Sequence, residues 1–247
     1  MSSYDQIVDQ MRELGLHGMI QGLEHQWSSS TYAELAFDQR LAHMLDVETS
    51  FRDRRRLARL LRDAKLKVQA QPEDIDYRPG RGLDRGYTAD LLTCRWAEHR
   101  RNILMTGPTG TGKTWLACAL AVQAARNGYS VRYVRTSALL ADLAIAQQDG
   151  SVVRFRQALA KAKVLVLDDF GLGALTPAGK QGLLDLLDDR IGATSTIVAG
   201  QLPVEEWFDY IAEPAVADAI LDRLVHSSHR LKLTGESMRK LTATPIP

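Results

Sequence analysis

A glycine-rich loop in the middle of the chain has the residue types of a phosphate-binding site. Residues 107–114 read Gly-Pro-Thr-Gly-Thr-Gly-Lys-Thr and fit the template G-x-x-x-x-G-K-[ST] at every fixed position. An apolar segment of strand character, residues 102–106, precedes the loop, and a helix-forming run follows it. Backbone N–H groups and the positive helix end then converge on a phosphate. The sequence predicts ATP binding by Gly107, Pro108, Thr109, Gly110, Thr111, Gly112, Lys113, Thr114 and Trp115.

Two carboxylates at the end of a second apolar run complete a candidate catalytic site. The run Lys-Val-Leu-Val-Leu, residues 163–167, is typical of a central parallel strand and is followed by Asp168 and Asp169. We expect Lys113 to neutralise the β and γ phosphates, and Thr114 and Asp168 to hold Mg²⁺. Asp169 is then a candidate to orient or deprotonate the attacking water. The alternative is that this Asp pair only caps a loop.

Three further polar residues are candidates for the reaction. Gln201 follows a later strand, residues 195–200, where its side chain can contact the γ-phosphate or the water. Arg223 lies far along the chain and is a candidate arginine finger that acts on the nucleotide of a neighbouring subunit. It is equally compatible with an ordinary surface contact to Asp222. Arg190, at the end of a predicted helix, is a second candidate finger, and spacing does not choose between the two arginines.

The composition narrows the class of protein. The 247 residues carry a formal net charge of +1, which argues against a uniformly basic nucleic-acid binder. Cys94 and Cys118 have no paired or metal-type spacing, which favours a reducing compartment. No apolar run reaches the length of a membrane span, and the N-terminus has no secretion-signal pattern. We therefore expect a cytoplasmic protein with no membrane partner.

The order of predicted elements indicates an α/β fold with an appended helical domain. Residues 1–70 are predicted to be all-helical, and residues 71–87, which are rich in Pro and Gly, to form a linker. Within residues 88–247, four predicted strands alternate with helices, as in a doubly wound parallel sheet. Ligands of such sheets bind at the carboxyl ends of the strands.

A basic run lies within the predicted helical domain. Residues 51–67 contain eight basic and two acidic side chains, a local charge of +6. A solvated helix face is the ordinary explanation of such a run, whereas a surface that contacts DNA phosphates is the functional one. The run alone does not decide between them. The candidate DNA contacts here are Arg52, Arg54, Arg55, Arg56 and Arg59.

Together these motifs resemble one family. Val164 to Gly171, with its Asp-Asp-Phe-Gly end, Thr196 to Pro203, with Gln-Leu-Pro, and the tail Gly235 to Arg239 resemble the IstB-like ATP-binding proteins. These are helper ATPases encoded beside the transposase in one class of bacterial insertion sequences. They are similar to the DnaC helicase loader and the DnaA initiator of the AAA+ superfamily. The resemblance covers nearly the whole chain.

The resemblance implies an AAA+ P-loop module. The chain departs from the general AAA+ plan, because the 24 residues after Arg223 are too few for a full C-terminal lid domain, so we expect a lid arginine to be missing. Arg239 is a candidate substitute that its spacing does not establish. The resemblance also implies an ATP-driven homo-oligomer that assembles on duplex DNA, deforms it and stimulates a cognate transposase. Arg154, Arg156 and Lys161 are the DNA contacts implied outside the basic run. A DnaC-like replicative helicase loader that binds single-stranded DNA is the alternative. A small-molecule kinase is disfavoured, because no acceptor pocket or lid with paired arginines is evident.

Overall fold

The computed structural model describes residues 2–238 and divides the chain into two compact units, Met1–Arg59 and Leu60–Pro247. The predicted boundary, a linker at residues 71–87, differs from this division. Residues 60–87 belong to the second unit, and the predicted linker contains a short 3-10 helix, Pro72–Asp74, and the start of a helix at Arg85. Pro and Gly mark breaks between helices there, and such breaks also occur inside a domain.

The first unit is helical, as predicted. It contains α1 (Ser3–Glu13), α2 (His17–Ser28), a 3-10 turn (Ser30–Tyr32) and most of α3 (Phe37–Ala64). The buried carboxylate of Glu48 on α3 accepts hydrogen bonds from the backbone N–H groups of Gly18 and Met19, at 2.6 and 3.0 Å. A side chain of α3 thus accepts hydrogen bonds from backbone N–H groups in the first turn of α2, which have no partner within their own helix. These hydrogen bonds fix α2 against α3.

The second unit is built around a five-stranded parallel sheet, which confirms the predicted fold class. The strands follow the order β2-β3-β4-β1-β5. They are β1 (Asn102–Thr106), β2 (Val131–Arg135), β3 (Val164–Phe170), β4 (Ser195–Gly200) and β5 (Ser228–Lys232). The helices are α4 (Arg85–Leu92), α5 (Arg95–Glu98), α6 (Lys113–Arg126), α7 (Thr136–Gln148), α8 (Val152–Ala160), α9 (Pro177–Asp188), α10 (Trp207–Ile211) and α11 (Pro214–Val225).

Burial explains which strands the sequence reveals. The strand β3 lies between two others and is buried along its apolar run, as expected for a central parallel strand. The edge strand β5 was missed. Its sequence is Ser-His-Arg-Leu-Lys, and of these residues only Leu231 is buried, so it lacks the apolar pattern by which strands are recognised.

A backbone irregularity interrupts the pairing of β3 with β4. The register shifts between Leu167 and Phe170, and Asp169 within that interval has a left-handed φ of 58°. Gly200 pairs with Phe170, and a Cβ at this glycine would lie 2.6 Å from the Phe170 carbonyl oxygen. The bulge therefore requires glycine on the neighbouring strand. In the part of the chain described, no helix has the length and apolar character needed to cross a membrane.

Candidate nucleotide-binding site

The glycine-rich loop joins the end of β1 to the start of α6, in the predicted context. Lys113 is the first residue of α6, and its ammonium donates hydrogen bonds to the carbonyl oxygens of Gly107 and Pro108, at 2.7 and 2.8 Å. Burial lowers the pKa of Lys113, and the nearby carboxylates of Asp168 and Asp169 oppose that shift. Lys113 is thus held in a loop at the N-terminus of a helix. Such an N-terminus is a typical anion-binding site.

The residues after β5 lie across this loop. The Leu233 backbone N–H donates to the Thr106 carbonyl oxygen at 2.8 Å, and the Met238 N–H donates to the Gly110 carbonyl oxygen at 2.9 Å. Gly107 has a φ of 142°, and a Cβ there would lie 2.1 Å from the Leu233 carbonyl oxygen. Glycine at position 107 is therefore needed for this crossing as well as for the template. Arg239 lies outside the described residues.

Asp168 is the centre of a hydrogen-bond network at the carboxyl end of β3. The Thr114 hydroxyl lies 3.0 and 2.9 Å from its two carboxylate oxygens, and the Tyr133 hydroxyl donates to one of them at 2.6 Å. Burial and the bonded Asp168 carboxylate raise the pKa of Tyr133, so its hydroxyl keeps its proton. Thr114 and Asp168, which the sequence analysis assigned to one metal, are in contact, whereas Tyr133 was missed because no motif contains it.

The oxygen ligands in this network suit Mg²⁺. Hydroxyl and carboxylate oxygens are the ligands that this ion takes in phosphate sites, together with phosphate oxygens and water. Within residues 2–238, no cluster of three or more His, Cys, Asp or Glu side chains is arranged to hold a metal. Thr114 and Asp168 would therefore bind the ion jointly with the nucleotide.

A cavity of about 470 Å³ brings the predicted residues together. Asp169 and Gln201 both line it, as do residues of the loop. Part of the lining comes from the predicted end of the helical domain and linker, and from the tail after β5, where no motif indicated a nucleotide contact. The missed residues are Lys67, Val68, Asp74, Asp76, Arg81 and Met238.

Arg81 joins that missed segment to the glycine-rich loop. Its guanidinium donates to the Thr111 carbonyl oxygen at 2.9 Å and to the Asp76 carbonyl oxygen at 2.6 Å. Hydrogen bonds from Arg78 lower the pKa of the Asp76 carboxyl to about 2, so this side chain is ionised at neutral pH. The segment is therefore a wall of the nucleotide cavity rather than a simple connector.

The structure separates the two candidate arginine fingers. Arg190 is buried, and its guanidinium donates to the carbonyl oxygens of Leu159, Ala162 and Ser195, at 3.0, 2.9 and 2.6 Å. Burial lowers the pKa of Arg190 to about 9, which still leaves it charged at neutral pH. All of these partners lie inside the unit, so the Arg190 guanidinium is not positioned to reach the nucleotide of a neighbouring subunit.

Arg223 lies at the amino ends of the strands, opposite to the glycine-rich loop. Its backbone carbonyl accepts a hydrogen bond from Asn102, the first residue of β1, whereas the loop follows the last residue of that strand. The Arg223 guanidinium pairs with Asp188 and donates to the Ala219 carbonyl oxygen at 2.7 Å. It lines a second cavity of about 550 Å³. Arg223 therefore cannot serve the nucleotide site of its own chain.

Most of the predicted DNA-contacting arginines are exposed. This holds for Arg52, Arg54, Arg55, Arg56, Arg59 and Arg154. The Arg52 guanidinium also contacts Glu48 at 2.6 Å, and that of Arg55 lies over the Phe51 ring at 5.7 Å. Arg156 differs, because it is partly buried and pairs with Asp185 and Asp189. Those ion pairs leave it poorly placed for a DNA phosphate.

Sequence comparison places the chain among known proteins. The model of the family described as IstB-like ATP binding protein matches residues 9–244. A protein of Sinorhizobium fredii named as an insertion-sequence ATP-binding protein is 44% identical over 233 residues, which cover 94% of this chain and 95% of that one. One of Pseudomonas fluorescens with a similar name is 50% identical over 197 residues, covering 79% of this chain and 85% of its own.

Solved structures share the fold. The chain superimposes on DnaI with a TM-score of 0.58 and 21% identity, covering 67% of this chain and 92% of that one. For the DnaC helicase loader the TM-score is 0.52 and the identity 19%, with 67% and 97% of the two chains covered. DnaA bound to AMPPCP and single-stranded DNA gives 0.56 and 17%, with 70% and 52% covered.

Proposed function

This chain belongs to the family of IstB-like ATP-binding proteins, and we propose that it is an ATP-dependent DNA-binding helper of an insertion-sequence transposase. In this proposal ATP drives assembly of the chain into an oligomer on duplex DNA. The assembly remodels and selects the target site and stimulates the cognate transposase. ATP hydrolysis then releases the assembly for another round.

The single observation that carries the ATP-dependent part is the contact of Thr114 with Asp168 in the cavity that also contains Lys113. These three side chains supply what a nucleoside triphosphate with Mg²⁺ requires, a cation for the phosphates and oxygen ligands for the metal. Bound Mg²⁺ would neutralise charge on the β and γ phosphates. Asp169 is the candidate to orient or deprotonate the attacking water, and Gln201 is placed to contact the γ-phosphate or that water.

Oligomerisation is supported by the position of Arg223. In a homo-oligomer, an arginine at the edge of the sheet away from its own nucleotide can reach the nucleotide of the next subunit. Such a finger stabilises charge that develops during phosphoryl transfer. ATP held between two subunits in this way links assembly to the presence of the γ-phosphate.

DNA binding is supported by the exposed arginines of α3. The side chains of Arg54, Arg55 and Arg56 on this helix are exposed, and exposed cations can contact phosphates in any sequence of DNA. A helicase loader that binds single-stranded DNA remains the second candidate, because the fold is shared with the DnaC helicase loader. The two candidates differ in the form of DNA they prefer.

The test is binding of the full chain to fluorescent duplex and single-stranded oligonucleotides, with and without ATP, over a range of salt concentrations. We expect ATP-dependent binding that favours duplex DNA, and electron microscopy of the same samples should show oligomers on DNA only with ATP. Replacing Arg54, Arg55 and Arg56 with Ala should flatten the salt dependence by about 0.9 unit of slope for each DNA phosphate that the variant no longer neutralises. A preference for single strands would favour the loader.

Two controls separate the parts of this test. A variant with Arg12, Arg85 and Arg95 replaced by Ala removes the same charge from exposed positions elsewhere and should retain the original slope. Lys113→Ala should abolish both nucleotide binding and ATP-dependent assembly. If Lys113→Ala bound nucleotide and assembled normally, the assignment of the phosphate site would be wrong.

A further inference from the structure

A second lysine lies in the nucleotide cavity and is not part of the phosphate-loop motif. The Lys67 ammonium lies 3.8 Å from a carboxylate oxygen of Asp168 and 3.9 Å from one of Asp169. Its side chain is 28% exposed and lines the same cavity as Lys113 and Thr114. One ammonium therefore faces both carboxylates that follow the apolar run of β3.

The backbone around Lys67 is anchored to the sheet unit. The Asp63 carbonyl oxygen, at the end of α3, accepts a hydrogen bond from Arg132 at 3.2 Å, and Ala64 and Ala70 are buried. The backbone of Lys67 also faces the Cys118 thiol of α6. Burial raises the pKa of this thiol, and hydrogen bonds from the backbone of residues 67 and 68 partly oppose that rise. The side chain thus extends from a fixed backbone.

The position of Lys67 within the cavity indicates which part of a bound nucleotide it would contact. Thr114 and Asp168 would hold Mg²⁺ beside the phosphates of a bound nucleotide. Asp169 is the candidate to orient the water that attacks the γ-phosphate, so an ammonium 3.9 Å from its carboxylate would lie near that phosphate in a bound triphosphate. Binding a triphosphate there adds negative charge that ADP does not bring, and a nearby ammonium favours that charge in a partly desolvated site.

We propose that Lys67 binds the γ-phosphate and determines the preference of the site for ATP over ADP. This inference rests on the proposed function, since it requires that the cavity binds a nucleoside triphosphate. Lys113 comes from the loop itself and would contact phosphates that ATP and ADP share as well as the γ-phosphate. Lys67, which follows α3 by three residues, would report the γ-phosphate alone.

The test compares Lys67→Met with the control Lys65→Met. The control removes the same charge two residues earlier in the chain, from a side chain that does not line the cavity. Dissociation constants for AMPPCP and ADP, each with Mg²⁺, would be measured by competition with a fluorescent nucleotide. We expect Lys67→Met to weaken AMPPCP binding about tenfold, with less than about twofold change for ADP. Lys65→Met should match the wild type, and Lys67→Arg should retain most of the preference.

Three results would overturn the inference. Equal losses for the two nucleotides, in a variant whose unfolding midpoint matches the wild type, would give Lys67 no role at the γ-phosphate. An unchanged preference combined with a lower Mg²⁺ requirement would make Lys67 a competitor of the metal instead. If the wild type bound neither nucleotide, the proposed function would fail together with this inference, whereas the first two results leave the proposed function intact.

Discussion

Lys67 and Lys113 line one cavity with Asp168 at the carboxyl edge of the sheet, where the strands end. Arg190 and Arg223 line a second cavity at the opposite edge, where the strands begin. Both edges collect cations, but their partners differ. Arg190 is held by hydrogen bonds to three backbone carbonyl oxygens in the interior, whereas among the described residues the Lys67 ammonium has only carboxylate contacts, at 3.8 and 3.9 Å. Their hydrogen-bond partners therefore distinguish Arg190, a structural cation, from Lys67, which is available to a ligand in the cavity.

The sharpest test of this comparison is Arg223→Ala. If Arg223 acts on the nucleotide of a neighbouring subunit, hydrolysis should fall about 10³-fold while ATP binding is retained. Phosphate release and nucleotide affinity would be measured on the same preparation. Loss of the partly exposed Asp188 pair should change the free energy of unfolding by no more than about 1 kcal/mol.

Mixing supplies the decisive control for Arg223. A variant with an intact arginine but a defective loop, Lys113→Ala, should restore part of the hydrolysis when added to Arg223→Ala. Arg230→Ala, an exposed arginine on β5, should leave hydrolysis unchanged. Failure of the mixture to recover activity would mean that Arg223 does not act on the nucleotide of a neighbouring subunit, and the proposed role of Arg223 as an arginine finger would be wrong.

A second test concerns Arg190→Met. The substitution keeps much of the side-chain volume but leaves the buried carbonyl oxygens of Leu159, Ala162 and Ser195 without their donor. We expect the free energy of unfolding in urea to fall by about 3 kcal/mol. Arg100→Met, at an exposed residue of the same cavity, should change it little. A stable Arg190→Met protein that had lost hydrolysis would restore Arg190 as a catalytic candidate.

The smallest expected effect is that of Tyr133→Phe at the carboxyl edge. The removed hydroxyl holds one oxygen of Asp168, so the carboxylate should be less well positioned for the metal. The Mg²⁺ concentration that gives half-maximal nucleotide binding should rise by about fivefold, equivalent to about 1 kcal/mol. Tyr129→Phe is the matched control. A lower Mg²⁺ requirement would show that the hydroxyl competes with the metal.

The elements of the site that a short motif encodes could be predicted from sequence. Lys113 and Thr114 are adjacent in a loop whose geometry its glycines determine, and Asp168 ends a strand whose burial is visible in its apolar run. The parallel arrangement then brings the ends of β1 and β3 to one edge. These inferences depend on local sequence and one topological rule, and in the structure the Thr114 hydroxyl contacts the Asp168 carboxylate.

The remaining parts depend on contacts between distant segments. Lys67 and Arg81 reach the cavity from a stretch interpreted as a helix end and a linker, and no spacing in that stretch signals a nucleotide. The edge strand β5 lacks an apolar pattern, so the tail that crosses the loop after it was also missed. Arg190 and Arg223 have similar sequence surroundings, and only the acceptors around each guanidinium distinguish them.

The bulge in β3 has a consequence for the chemistry of position 169. In a regular strand, successive side chains point to opposite faces, so one of two adjacent carboxylates would face away from the cavity. The left-handed φ of Asp169 turns the chain there, and both carboxylates line the same space. Among residues with a carboxylate, aspartate adopts that conformation more readily than glutamate. The backbone, rather than a longer side chain, thus provides the reach of the second acid.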